Sequence, residues 1–182
     1  MSSAVEPGGA HEAPASLHVR AATKDDAHGI ARVHVRSWRE AYRHVFSSYL
    51  LDGLQIGTRA QRWERILIGG AHVWVALDAM GAESGGGTSI VGWASAGPAR
   101  DADGPAALEL QGLYVLSAYY GSGAAQLLID AALGSDPAYL WVLADNPRAQ
   151  AFYRRNGFAL DGVSRIESFG GEPAAEVRML RR

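Results

Sequence analysis

Positions Ala27, Ile30, Ala31, His34, Trp38, Ala41, Tyr42 and Val45 fall on one stripe at helical spacing, which predicts an amphipathic helix over 24–45. Thr23 followed by Asp26 gives that helix a capping-box start. The same signal at Thr58 and Gln61 opens a second predicted helix, which carries Trp63, Ile66 and Leu67 and ends near Gly69-Gly70. Apolar or alternating runs then predict strands over 17–20, 72–77, 89–96, 107–116, 139–143, 158–165 and 174–180. Between the second and third of these, residues 78–88 hold Gly81 and Gly85-Gly86-Gly87 and read as a flexible hairpin connection. A third helix follows Gly123 and stops at Gly134. A fourth is capped by Asn146, begins at Pro147 and ends at Asn156-Gly157. The predicted order, βααβββαβαββ, is that of a mixed α/β domain in which helix-crossed strands require some parallel pairing.

Composition narrows this picture without changing it. A chain of 182 residues, 48% hydrophobic and 20% charged, suits one globular domain with its own core. Its formal charge of -2 offers neither a nucleic-acid surface nor a polybasic membrane patch. The absence of cysteine removes a disulfide framework, a thiolate zinc site and a cysteine nucleophile together. Residues 1–16, with Pro7, Gly8, Gly9 and Pro14 and no apolar stretch, read as a disordered tail before a domain at 17–182, and not as a signal peptide. No apolar run reaches the roughly 20 residues of a membrane span, so a cytoplasmic location is expected.

The most informative segment is Leu113 to Leu128, where a strand-like run gives way to Gly121-Ser122-Gly123-Ala124-Ala125 and then to a helix. Small residues there let backbone N–H groups and a helix N-terminus approach an anion. A nucleotide-hydrolysing loop would place Lys-Ser/Thr after its last glycine, but Gln126-Leu127 follow here. A dinucleotide turn would have its third glycine at Gln126, and it would begin immediately after the strand, whereas Ser117 to Tyr120 intervene. The segment instead resembles the acyl-CoA pyrophosphate loop of the GNAT superfamily of N-acyltransferases, Gln/Arg-x-x-Gly-x-Gly/Ala. Gly123 and Ala125 fit that pattern, while Tyr120 stands where Gln or Arg is usual. A second stretch, Asn146 to Phe158, is similar to the family's Asn-x-x-Ala-x-x-Phe-Tyr-x-x-x-Gly-Phe signature at matching spacing. Val33 to Leu54 also looks like the N-terminal helices of bacterial members, so the resemblance covers residues 17–182.

The resemblance implies a mixed, mostly antiparallel sheet of about seven strands flanked by four helices. It also implies an acetyl-CoA-dependent N-acetyltransferase, without a metal, acting on a small-molecule or peptide amine, in a family that often dimerises. On this reading Tyr120, Gly121, Ser122, Gly123, Ala124 and Ala125 bind the CoA pyrophosphate. The backbone of Leu113, Tyr114 and Val115 pairs with the pantetheine arm as an added strand would. Asn146 caps its helix and contacts the cofactor near the thioester, Arg148 and Arg154 are further partners for its phosphates, and Tyr153 protonates the leaving thiolate. An amine must lose a proton before it attacks, and Glu109 is the candidate base, acting directly or through water. Strict alternation puts Glu109, Gln111, Leu113 and Val115 on one face, and His34 is the alternative base. Trp38, Tyr42, Trp63 and Trp93 are candidates for the acceptor pocket, with Trp38 and Tyr42 preferred as a pair. The competing function is a non-catalytic acyl-CoA-binding or sensing module that keeps the loop without turnover.

Overall fold

The computed structural model describes residues 17–79 and 89–182, so the expected tail at 1–16 and most of the glycine-rich connection at 78–88 lie outside the described residues. The strands are β1 (Leu17–Ala21), β2 (Val73–Asp78), β3 (Ser89–Pro98), β4 (Leu108–Val115), β5 (Ala138–Leu143), β6 (Ala159–Phe169) and β7 (Glu172–Arg181). They form one sheet in the order β1-β2-β3-β4-β5-β7-β6. Only β4 and β5 pair in parallel, and every other neighbour is antiparallel. The expected mixed, mostly antiparallel seven-stranded sheet is therefore the one observed. Helices α1 (Ala27–Ala41), α3 (Ile56–Ile68), α4 (Ala124–Leu133) and α5 (Pro147–Arg155) flank it, and a fifth, one-turn helix, α2 (Ser48–Asp52), lies between the first two.

Two helix boundaries differ from the sequence reading. The helix expected over 24–45 is a 3-10 turn at Lys24–Asp26 followed by α1, which ends at Ala41. The Asp26 carboxylate organises that start, accepting from the Thr23 N–H at 2.7 Å and pairing with Arg20 at 2.7 Å. Val45 and Phe46 continue the apolar spacing from a separate turn, whose Ser47 hydroxyl caps α2 by accepting from the Leu50 N–H at 3.2 Å. A five-residue helix is too short to show a period of its own, so α2 went unmarked beyond the end of the stripe at Val45. At α3 the cap is Gln55, in an extended conformation, and Thr58 sits inside the helix.

Apolar residues cover both faces of the sheet. On one face, α4 lays Leu128, Ile129 and Leu133 on Ala94, Leu110, Val115, Leu140 and Met179. On the other, α1 and α3 lay Ile30, Val33 and Trp63 on Val75, Leu77 and Trp93. Burying aliphatic side chains of this size contributes roughly 1.5–3 kcal/mol each.

The strand that matters most for the site is irregular. Ser95 of β3 faces Gly112 of β4 and Ala96 faces Leu110, so Gln111 is one residue too many. A bulge of this kind reverses which face the following side chains take. Leu113 and Val115 accordingly join Leu110 in the cluster under α4, whereas Tyr114 joins the cluster under α1 and α3. Strict alternation therefore fails, and Glu109 shares its face with Gly112 and Tyr114, not with Leu113 and Val115. A Cβ at Gly112 would lie 2.8 Å from the Trp93 ring, so only glycine lets the indole cover the bulge.

The second irregularity is a gap. The pairing of β4 with β5 covers only Leu108–Leu110 against Ala138–Leu140. Beyond those residues β5 continues along β7 as far as Leu143 opposite Glu176, while β4 remains paired only to β3. The strands thus open like a V, leaving the β5-facing edge of Gly112–Val115 free of strand partners.

Candidate active site

A cavity of ≈ 1130 Å³ lies at the mouth of this V, with Gly121, Gly123, Asn146 and Tyr153 toward one end and Trp38, Phe46, Phe169 and Glu176 toward the other. The loop end is built from backbone. Gly121 and Gly123 take φ of 79° and 89°, left-handed values that cost other residues about 1–2 kcal/mol. This winding turns the Ser122 N–H inward to the Tyr119 carbonyl at 3.2 Å and the Ala124 N–H to the Ser122 hydroxyl at 3.3 Å. The N–H groups of Gly121, Gly123, Ala125 and Gln126 donate to none of the described residues. They form an anion cradle at the N-terminus of the ten-residue helix α4. A Cβ on Gly121 would meet nothing within 4 Å, so the space above the cradle is open. Glu40 of α1 steadies the approach by accepting from the Ser117 N–H at 3.0 Å.

Tyr120 is accompanied by a cation. The Arg148 guanidinium lies 3.6 Å from the centroid of its ring and donates to its hydroxyl at 2.8 Å. Positive charge beside position 120 comes here from Arg148 of α5. Asn146 caps α5 by accepting from the Ala149 N–H at 3.1 Å. Arg154 is turned to Gln150 at 3.2 Å, while Arg155 lines the cavity.

Three phenols couple across the middle of the cavity. Tyr153 of α5 is buried, and burial, followed by the influence of Tyr114, pushes its pKa well up. Tyr42 of α1 is pushed up by burial and then by Tyr114 and Tyr153. Burial also raises Tyr114, against the pull of Tyr42 and Trp38. All three are therefore neutral proton donors at any working pH. Sequence reasoning had Tyr114 only as backbone, because the bulge that aims its side chain is invisible to alternation.

The far end is built from side chains. Trp38 stacks on Phe46 at 5.7 Å and packs edge-on against Tyr42 at 5.3 Å, with Phe169 of β6 5.7 Å away. Trp63 and Trp93 instead pack on each other at 4.6 Å in the core behind this wall. His34 sits among Trp93, Tyr114 and Trp38 with ring distances of 5.2, 5.2 and 5.8 Å, and its buried Nδ1 has no hydrogen-bond partner among the described residues. Burial, helped by Arg59 and Arg62, pushes its pKa down to about 3, so at neutral pH the ring is uncharged and has little affinity for a second proton.

Glu109 is 1% exposed and fully engaged. Arg100 grips both its oxygens through Nε at 2.9 Å and through Nη2, its own N–H adds a bond at 3.0 Å, and the Tyr139 hydroxyl donates at 3.2 Å. A neighbouring cluster was not anticipated. Arg165 of β6 stacks on Trp141 at 4.1 Å and pairs with Glu176 at 2.8 Å, Asp101 at 3.5 Å and Glu167 at 3.8 Å. The one signal in the sequence was Glu176, a charge set between Ala174-Ala175 and Val177 in an otherwise apolar run.

Comparison with known proteins agrees with this architecture. A probable N-acetyltransferase of Mycobacterium tuberculosis is 28% identical over 155 residues, covering 82% of this chain and 83% of that protein. The uncharacterized N-acetyltransferase YuaI of Bacillus subtilis is 30% identical over 135 residues, covering 71% and 73%. The crystal structure of the PaiA N-acetyltransferase from Thermoplasma acidophilum in complex with coenzyme A shares the fold with a TM-score of 0.59 at 17% identity, over 92% of this chain and 99% of that one. Residues 69–160, from the entry into β2 to the first residues of β6, match the acetyltransferase (GNAT) domain model. The chain belongs to the GNAT acetyltransferase family.

Proposed function

We propose that the protein transfers the acetyl group of acetyl-CoA directly to a primary amine of a small molecule or peptide. The observation that carries this reading is the single cavity that joins the four free amides at Gly121, Gly123, Ala125 and Gln126 to the aromatic wall, by way of the open edge of β4. The amides hold the pyrophosphate, with Arg148 beside them. The free edge of Leu113–Val115 takes the pantetheine amides as a sheet takes another strand. That leaves the thioester between β4 and Tyr153, where a β4 N–H stabilises the developing oxyanion. Tyr153, held neutral by burial, donates its proton to the departing sulfur. With no cysteine in the chain, acyl transfer proceeds within a ternary complex and not through a cysteine acyl-enzyme.

Incubation with acetyl-CoA and a panel of amines that includes phenethylamine, amino acids and short peptides, followed by release of free thiol, tests the reading. Thiol release that requires an amine and yields its acetamide is expected. CoA binding with no release from any amine would instead identify an acyl-CoA sensing module.

A further inference from the structure

The acetyl transfer proposed above needs a group that accepts a proton from the acceptor ammonium, and four carboxylates line the cavity: Asp101, Glu109, Glu167 and Glu176. Asp101 is paired with Arg165 at 3.5 Å and accepts from the Trp141 indole at 2.7 Å, while Glu167, 3.8 Å from Arg165, is half exposed to solvent. Glu109 has no room for the task, because Arg100 and Tyr139 direct four donors at its two oxygens and it is sealed from solvent. Glu176 is arranged differently. It lies on β7 opposite Leu143 of β5 and Arg165 of β6, and it is 8% exposed, through the cavity that it lines. Arg165 donates from Nε to Oε2 at 2.8 Å and its Nη2 pairs with the same oxygen at 2.8 Å. Oε1 takes no hydrogen bond from any described residue.

We propose that Glu176 is the acceptor-ammonium site, where Oε1 holds the incoming amine as its cation and takes the proton that must leave before the nitrogen attacks. The inference rests on the acetyltransferase reading and makes it specific: the acceptor arrives as an ammonium ion, its body against Trp38, Tyr42 and Phe46. The balance is simple. One ammonium proton passes to Oε1, the freed lone pair forms the C–N bond at the thioester carbonyl, and the C–S bond breaks with its electron pair on sulfur. Sulfur takes a proton from Tyr153, the phenol regains one from the acetylated nitrogen through water, and Glu176 returns its proton to solvent. The net products are an amide, free CoA thiol and one proton.

The surroundings shift Glu176 in the direction that favours a base. Burial raises the Glu176 carboxyl above its ordinary range, Glu167 adds to this, and Arg165 and Arg100 pull it partly back. Arg178 is neutralised by Asp161 at 2.6 Å and Asp101 is paired to Arg165, while Tyr42, Tyr114 and His34 are uncharged. A base gains efficiency as its pKa approaches the working pH.

The test compares wild type, Glu176→Gln, Glu176→Asp and Glu109→Gln by thiol release across pH, with phenethylamine and its less basic β,β-difluoro analogue. Glu176→Gln is expected to lower kcat/KM for phenethylamine about a hundredfold or more and to remove the acidic limb of the profile, with CoA affinity unchanged. Its deficit shrinks for the difluoro amine, which is already neutral, and Glu176→Asp and Glu109→Gln both keep the limb. A Glu176→Gln variant that retains the limb, or one equally impaired with both amines, overturns the proposal while leaving the acetyltransferase reading in place. Absence of thiol release by wild type with the whole panel removes that reading itself.

Discussion

The two ends of the cavity are built from different kinds of group. At the loop end the groups on offer are main-chain amides, and side chains contribute mainly by being absent, as at Gly121 and Gly123. At the far end every candidate group is a side chain, held either in an aromatic wall or in the charge cluster around Arg165. Amides fixed by backbone winding present one ligand chemistry and change little with pH. The far end combines burial with ionisable groups, so its chemistry is set by pKa values and changes with single side chains. The loop end is thus suited to a common cofactor, and the far end to a particular acceptor.

The sharpest division between the ends is expected at Tyr153, which borders both. Tyr153→Phe keeps the ring that packs on Phe152 and Phe158 at 5.5 and 6.0 Å and removes only the donor. Steady-state kinetics should show kcat reduced about 10²–10³-fold, within the usual range for a general acid, and calorimetry should show CoA affinity unchanged. Equal turnover would take the acid role away from this residue.

Behind the acceptor wall, His34 makes that end sensitive to acid. Its folded pKa of about 3 lies below the ordinary 6.5, so as pH falls below 6.5 the unfolded chain binds a proton that the folded chain refuses. The stability this group allows is complete above pH 6.5 and is lost as pH falls toward 3, on the order of 5 kcal/mol in all. Denaturant unfolding at stepped pH should show this slope in wild type and a flatter one in His34→Leu, which also removes the unpaired Nδ1. An unchanged slope would mean that the ring is solvated in the folded protein.

At the loop end, Gly121→Val places a side chain in the open space above the amides. CoA affinity should fall about tenfold to a hundredfold and stability by about 1–2 kcal/mol from the left-handed backbone. The acidic limb of the pH profile should stay where it is. A shift of that limb would show that the two ends are not separable.

This division also explains what the sequence made legible. The glycine turn and the Asn146 cap could be read because both are local in the chain. The sheet followed from the strand runs, although α2 and the start of α3 did not. The far end could not be read in the same way. Glu176 reaches Arg165 only after β6 and β7 pair, Arg100 meets Glu109 across a loop, and the face taken by Tyr114 depends on the bulge at Gln111. That bulge is set by pairing with β3, and its one local mark is Gly112, an isolated glycine inside the strand run, which alternation does not read, so Glu109 was assigned the wrong neighbours.

The smallest expected effect concerns the one residue at which the loop departs from its relatives' motif. Tyr120 supplies no charge, but its ring face and hydroxyl hold Arg148 beside the cradle, and at 42% exposure the pair is partly solvated. A cation over an exposed aromatic face contributes about 0.5–1 kcal/mol, so Tyr120→Leu should weaken CoA binding about two- to fivefold with kcat unchanged. If Arg148 acts on the phosphates through that position, Tyr120→Arg should restore the affinity, because it returns the charge to the loop itself, and should do so even alongside Arg148→Ala. Titration calorimetry on the single and double variants separates the two ways of placing the cation. Should Tyr120→Leu alone cost as much as Gly121→Val, the ring would itself be a ligand contact, and the loop end would no longer be a site built mainly from backbone.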